Sequence, residues 1–243
     1  MAFACLLAGA GSARAATALL EDGFDSGYLD SGQWTSLGPS TSVEGRRVRL
    51  VNREHLVTNR SFSPAGFGGL AIELAVFLPD DDASLTVVTR SDGSDVGIDM
   101  EVLDGICFQF EPLSGTGRVV IKRMETGVET VLGTSSRTRT RQSFRVRILD
   151  DGNNLAAWID GVPFALAHES LAYSTNCISV YNGYPLAHTA YIDNFVLRTS
   201  GILTRDDFDD DVLDPVLWDT LGSIAETGSQ IVLTNRGHLV TTG

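Results

Sequence analysis

The chain spells one phrase twice, and no other feature constrains its fold as much. From Asp22 it reads DGFDSGYLDSGQWTSLG and then VRLVNREHLVTN; from Asp206 it reads DDFDDDVLDPVLWDTLG and then IVLTNRGHLVTT. The pairs Asp22/Asp206, Phe24/Phe208, Asp25/Asp209, Leu29/Leu213, Asp30/Asp214, Trp34/Trp218, Leu37/Leu221 and Gly38/Gly222 keep a constant offset. After a one-residue gap, Leu50/Leu233, Asn52/Asn235, Arg53/Arg236, His55/His238 and Thr58/Thr241 follow. Such a repeat sets the length of the architectural unit. The unit is read as residues 17–200, with 201–243 the truncated start of a second, repeated one. Two or three strands cannot bury an apolar face alone. The tail therefore points to a piece of a longer multidomain protein, the favoured reading, or to a segment that competes for the slot of its own copy by domain swapping.

Within the unit, short extended runs alternate with turn residues. Arg47–Val51 leads to a turn at Asn52, and His55–Thr58 resumes the strand. Gly69–Leu78 is a strand too apolar to face water, and Ser84–Thr89 follows it. In Asp95–Leu103, Val96, Ile98, Met100 and Val102 take one face while Asp95, Gly97, Asp99 and Glu101 take the other, which is period-two alternation. Asp104-Gly105 and Asp160-Gly161 are hairpin signals. Ile106–Phe110, Gly117–Met124, Gly127–Leu132, Phe144–Leu149, Leu155–Ile159, Ile178–Tyr181 and Ala190–Leu197 continue the series. Many short strands between Gly, Asp and Asn turns predict an all-β, antiparallel two-sheet β-sandwich or a barrel.

Composition narrows the function classes. The 243 residues, 43% of them hydrophobic, suffice for a sizeable core. A net charge of −13 argues against a nucleic-acid partner and against anionic membranes. The opening MAFACLLAGAGSARAA has an apolar run, Ala2–Ala10, and an A-x-A-like site at Ala13–Ala16, so residues 1–16 read as a signal peptide lacking a basic start. No later apolar run reaches the ~18 residues of a membrane span. A secreted or cell-surface location follows as the expectation. There, Cys107 and Cys177 form one disulfide or stay as buried thiols, and both alternatives stand at this stage.

The order DGFDSGYLDSGQW, then FRVRILDDGNNLAAWIDGVPF, then YIDNFVLRT resembles the concanavalin A-like (laminin G-like) jelly-roll superfamily, over about Leu19–Thr199. The resemblance implies a jelly-roll sandwich and brings two candidate sites. Gly97-Ile98-Asp99-Met100-Glu101 is similar to the Glu-x-Asp-x-Glu strand of glucanases that share the fold. Asp99 and Glu101 match its second and third positions, whereas Gly97 stands where the nucleophile belongs and Asp95 comes two residues early. Retaining hydrolysis needs two carboxylates, so the match weakens the enzyme reading; a half-solvated strand explains the same pattern. Asp193 in YIDN, with Asp22 or Asp25, matches positions that hold a structural Ca²⁺ in glucanase relatives, and oxygen donors suit that ion.

Sugar binding requires ring faces to stack on and polar groups to orient hydroxyls. Tyr184 in the Asn182–Pro185 loop, Trp158 and Tyr181 are the candidate rings, and Asp95, Asp99 and Glu101 the candidate polar groups. Trp34 and Trp218, repeated inside the opening phrase, read as core anchors. His55 and His238 recur at strand starts and read as structural. The sequence contains neither H-E-x-x-H nor G-x-S-x-G. The expected function is an exported, non-catalytic carbohydrate-binding or adhesion module of a larger surface or secreted protein. Its partner is a carbohydrate or an extracellular protein. A glucanase-type hydrolase and a structural spacer are the alternatives.

Overall fold

The computed structural model describes residues 17–64, 69–91, 104–170, 177–182 and 188–199, and the backbone of 218–226 and 231–241. In chain order the strands are β1 (Ala18–Asp22), β2 (Trp34–Leu37), β3 (Ser42–Glu44), β4 (Arg47–Val51), β5 (His55–Thr58), β6 (Leu70–Phe77), β7 (Leu85–Ser91), β8 (Gly105–Phe110) and β9 (Val119–Glu125). They continue as β10 (Val128–Thr134), β11 (Ser143–Asp150), β12 (Asn154–Ile159), β13 (Val162–His168), β14 (Cys177–Asn182), β15 (Thr189–Thr199), β16 (Trp218–Glu226) and β17 (Ile231–Thr241). The first sheet runs β13-β12-β11-β6-β15-β4-β3, with β1 also paired to β15, and the second runs β10-β9-β8-β7-β14-β5-β2. Both are antiparallel. The expected two-sheet sandwich is the fold. The chain divides into two compact units, Met1–Gly201 and Ile202–Gly243; the second contains the two-stranded sheet of β16 and β17.

Alternation builds the layers. In β6, Leu70, Ile72, Leu74 and Val76 point into the core, whereas Glu73 is exposed and Ala75 and Phe77 are half-buried. The expectation that this strand hides from water entirely is therefore corrected: its outward positions happen to be mostly apolar, and Glu73 marks the wet side. In β11, Phe144, Val146 and Ile148 face inward while Ser143, Arg145 and Arg147 are exposed. The second sheet contributes Leu85, Val87, Ile106, Phe108, Val119, Ile121 and Val180 to the same core. Strand β7, in contrast, is buried along its whole length.

Hairpin turns follow backbone chemistry. Asp160 and Gly161 take φ of 49° and 78°, the paired left-handed conformation that a two-residue hairpin requires. Gly105 acts differently: it starts β8, and a Cβ there would sit 2.8 Å from the Thr89 carbonyl oxygen. Only glycine permits that approach.

The repeated phrase turns out to be an anchoring device. The Asp22 carboxylate accepts the Phe24 N–H at 2.7 Å and the Trp34 indole N–H at 3.0 Å. Phe24 is fully buried with φ of 52°, a costly backbone state for a bulky residue that the Asp22 bond and the packing hold. Trp34 packs edge-on against Phe195 of β15, with ring centroids 4.9 Å apart. Strand pairing repeats as well. Trp34 pairs with Thr58 and Leu37 with His55, and their counterparts Trp218 with Thr241 and Leu221 with His238 pair in the same way.

Cys107 and Cys177 are not joined to each other. Cys107 lies on β8 opposite Val88, and Cys177 on β14 opposite Ser91, so β7 runs between them. Two strand spacings, about 9.5 Å, exceed the reach of a disulfide. Burial pushes the Cys107 thiol up to about 12.

At one end a buried ion pair ties the sheets together. The Arg90 guanidinium on β7 donates to both oxygens of Asp150 at the end of β11, through Nε at 2.9 Å and Nη2 at 2.5 Å. Asp150 also accepts Thr89 Oγ1–H at 2.7 Å and the Gly152 N–H at 3.0 Å. Removing one partner strands a buried charge, which typically costs about 3–5 kcal/mol. Asp150→Ala is expected to lower unfolding stability by about that amount in urea titrations, whereas Glu73→Ala on the wet face stays within about 0.5 kcal/mol.

Candidate functional site

The outward side chains of the first sheet lie in rows set by strand register. One row runs Trp158, Arg147, Glu73, Val196 across β12, β11, β6 and β15. The next runs Arg145, Ala75, Asp193, and the third Ser143, Phe77, Tyr191, Arg49. Aromatic rings sit in the outer two rows. Phe77 and Tyr191 stack at 5.8 Å between centroids, and the Arg147 guanidinium lies 5.4 Å above the Trp158 ring. In the middle row, Ala75 provides only a methyl group.

That short side chain leaves two adjoining hollows in the face. One, about 300 Å³, is lined by Arg47, Phe77, Arg145, Asp160, Tyr191 and Asp193 among others; the second, about 470 Å³, by Glu73, Arg145, Arg147, Asn194 and Val196. Ala75 and Arg145 belong to both. Volumes of this order suit a small ligand or a short stretch of polymer. A β-bulge between Asp193 and Val196, with Asn194 at φ of 51°, brings Asn194 into the lining. Bulges commonly re-aim side chains next to sites in this way.

The charges here are nearly all matched. Arg147 Nε is 4.0 Å from Glu73 Oε1, and Arg47 Nε is 3.9 Å from Asp193 Oδ2. Asp193 also accepts the Asn194 N–H at 2.8 Å, and Asp160 accepts the Arg145 N–H at 2.9 Å. The Arg145 side chain, exposed between the hollows, makes no ion pair among the described residues. Chemically, the face offers two ring platforms, fixed carboxylate acceptors and one uncommitted guanidinium. It suits recognition of a polar, hydroxyl-bearing molecule.

The sequence-derived candidates divide. Asp95, Asp99, Glu101 and Tyr184 lie outside the described residues. Trp158 is half-buried on the outward face of the first sheet, under Arg147, and lines neither hollow. Tyr181, expected near it, is on β14 of the other sheet. It is 5% exposed and stacks on His55 at 4.4 Å, so it has no open ring face for a sugar. Burial raises its phenol pKa. Arg145, Phe77 and Tyr191 were missed. The alternation of Phe144-Arg145-Val146-Arg147 already set the arginines outward, but sequence does not say which strands flank them.

Asp22, Asp25 and Asp193 do not form a fit for Ca²⁺. Donors from Phe24 and Trp34 engage both Asp22 oxygens, Asp25 is 3.4 Å from Arg46, and Asp193 is held by Arg47 and the Asn194 N–H. Among the described residues no three acidic, cysteine or histidine groups converge as a metal cage would need.

No protein-family model matches the chain, and no curated protein matches it in sequence. Solved structures do match its fold. A carbohydrate-binding module, CBM66 from Bacillus subtilis, aligns over 70% of this chain and 98% of its own at 14% identity and TM-score 0.52. The exoplasmic/lumenal domain of VIP36, in a Ca²⁺/Man3GlcNAc-bound form, aligns over 69% and 84% at 9% identity and TM-score 0.52. The catalytic domain of a laminarinase from Thermotoga petrophila RKU-1 aligns over 75% and 97% at 11% identity and TM-score 0.55. The fold is thus that of the concanavalin A-like jelly rolls, shared by a carbohydrate-binding module, a carbohydrate recognition domain and glucanases.

With the aspartates committed to protein donors, the melting midpoint is expected to be the same in EDTA and in millimolar Ca²⁺. A cation bound only by the folded state would raise it, and a reproducible rise would overturn this assignment.

Proposed function

We propose that this chain is a non-catalytic carbohydrate-binding module whose contact surface is the outer face of the first sheet. The observation that carries this reading is the stacked pair Phe77 and Tyr191 lining the hollow beside Ala75, with Trp158 farther along the same face under Arg147. Sugars combine apolar C–H faces with hydroxyl rims. Aromatic faces flanking fixed hydrogen-bonding groups match both. The carboxylates at the hollow are held by backbone donors or arginines, which suits orienting hydroxyls better than passing protons. Structures of similar fold include a carbohydrate-binding module and a carbohydrate recognition domain, and that likeness supports the same reading.

The opening segment 1–16 would direct export, placing the module outside the cell or on its surface as part of a larger protein. Residues 201–243 would begin a second copy of the module. The shared register of β2 with β5 and of β16 with β17 supports that view.

Affinity electrophoresis of the intact chain through gels containing soluble polysaccharides tests the binding role. Retardation by at least one glycan is expected, weakened about tenfold or more by Tyr191→Ala. Passage unretarded through every glycan would leave the spacer reading, and release of reducing ends from β-glucan would restore the glucanase. A chain ending at Ser200 is expected to keep the melting midpoint and the oligomeric state of the full chain. Loss of either would favour exchange of the tail with its copy.

A further inference from the structure

We infer that the carbohydrate recognised on this face is acidic, a uronate-bearing glycan whose carboxylate is taken by Arg145. This rests on the carbohydrate-binding reading and specifies its ligand class.

The argument begins with the distribution of partners. Every other arginine on the face has an acid within reach: Arg147 beside Glu73, Arg47 beside Asp193, Arg49 Nη1 at 3.7 Å from Glu44, Arg198 Nη2 at 3.6 Å from Glu21. Arg145 has none among the described residues. Its backbone is tightly engaged, with its N–H donating to Asp160 Oδ1 and its carbonyl accepting the Asp160 N–H, both at 2.9 Å. The strand and the Asp160-Gly161 turn thus fix the base of the side chain, and the guanidinium is left for solvent or ligand.

Its position has consequences. Arg145 is the one arginine that lines both hollows, next to Ala75, which is too short to reach it or cover it. A guanidinium presents a planar fork of donors that matches a carboxylate with two parallel hydrogen bonds. A neutral sugar offers hydroxyls, for which that fork has no special fit. On the far side of Ala75 lies Asp193. Its charge is offset by Arg47, and it can accept hydroxyl protons of the same sugar residue. With Phe77 and Tyr191 beside the first hollow, the site has a ring face, an acceptor and an anion fork within one residue's span.

The experiment uses the intact chain and three probes: polygalacturonate, the same polymer fully methyl-esterified, and a neutral β-glucan. Esterification removes the charge while keeping the backbone. Binding to polygalacturonate is expected to exceed binding to its ester by about tenfold or more, the effect of one charge-assisted hydrogen-bonded pair. Arg145→Gln is expected to erase that preference, Arg145→Lys to retain part of it, and Arg198→Gln, on the same sheet but outside both hollows, to leave the preference in place. Equal binding of acid and ester, or tighter binding of the neutral glucan, overturns the acidic ligand while the carbohydrate role stands. Failure of all three probes and of a wider glycan panel removes both. Because the acid-to-ester comparison is made on the unaltered protein, it decides the question even if a variant does not fold.

Discussion

The buried pair between Arg90 and Asp150 is the constraint on which the rest of the sandwich depends. Arg90 lies next to the end of β7 in one sheet and Asp150 ends β11 in the other, and both are almost closed to solvent. Taking two charges out of water is expensive, and attraction compensates only when the remaining donors and acceptors are satisfied. Here they are: Asp150 receives Arg90, Thr89 and Gly152, while Arg90 also donates to the Glu169 carbonyl at 2.8 Å. Glu169 in turn is 3.2 Å from Arg123 on β9. The contribution is more to uniqueness than to raw stability. Asp150 pairs with Leu70 and Leu155, so the clamp pins the register of β11 against β6 and β12. A slip by one residue would turn Phe144, Val146 and Ile148 outward and Arg145 and Arg147 into the core. The outward face of the first sheet and the core are thus set by the same ion pair.

The opening phrase secures the opposite problem, how the first strand joins a sheet formed largely by later ones. Strand β1 pairs with the end of β15, and Asp22 faces Phe195 in that register. One carboxylate then ties Phe24 and the Trp34 ring to the same spot, beside Phe195 in the core. Asp, Phe and Trp recur in the second copy at the same spacing, in keeping with a requirement of geometry more than of ligand chemistry. One difference between copies is informative. Glu54, buried at 3% exposure, accepts the Ser40 and Val51 N–H groups where the first hairpin passes between sheets. The second copy has Gly237 in that place, and β16 and β17 run as one ribbon.

Much of the fold was legible because it rests on local chemistry. Arg47–Val51 and His55–Thr58 are strands with the bounds their alternation suggested, and the Asp160-Gly161 turn has the conformation its residues favour. Strands β1, β2, β3 and β13 were not. Three of them are only three to five residues long, and VPFALAH places a proline near its start with alanines where alternation would be read. The site was legible only in part. Trp158 reads as a candidate ring on a strand near that of Tyr181, but Tyr181 lies on the other sheet. What separates them is pairing between distant segments, to which period-two alternation is blind. Phe77 and Tyr191 had the same fate: each reads as one apolar position among several, and only the β6–β15 register sets one ring on the other.

A net charge of −13 runs against the proposed anionic ligand, but scale resolves the conflict. At physiological ionic strength charges beyond about 8 Å are largely screened, so the field at the hollow comes from its own walls. There Arg47, Arg145 and Arg147 stand against Glu73, Asp160 and Asp193, an even count in which two acids already face an arginine. The third, Asp160, directs one oxygen to a backbone N–H at the base of Arg145. Arg145 is thus the arginine of these walls whose guanidinium faces no carboxylate partner among the described residues. On the proposed reading, the chain's acidity at a distance is screened, and local recognition would rest on that one guanidinium.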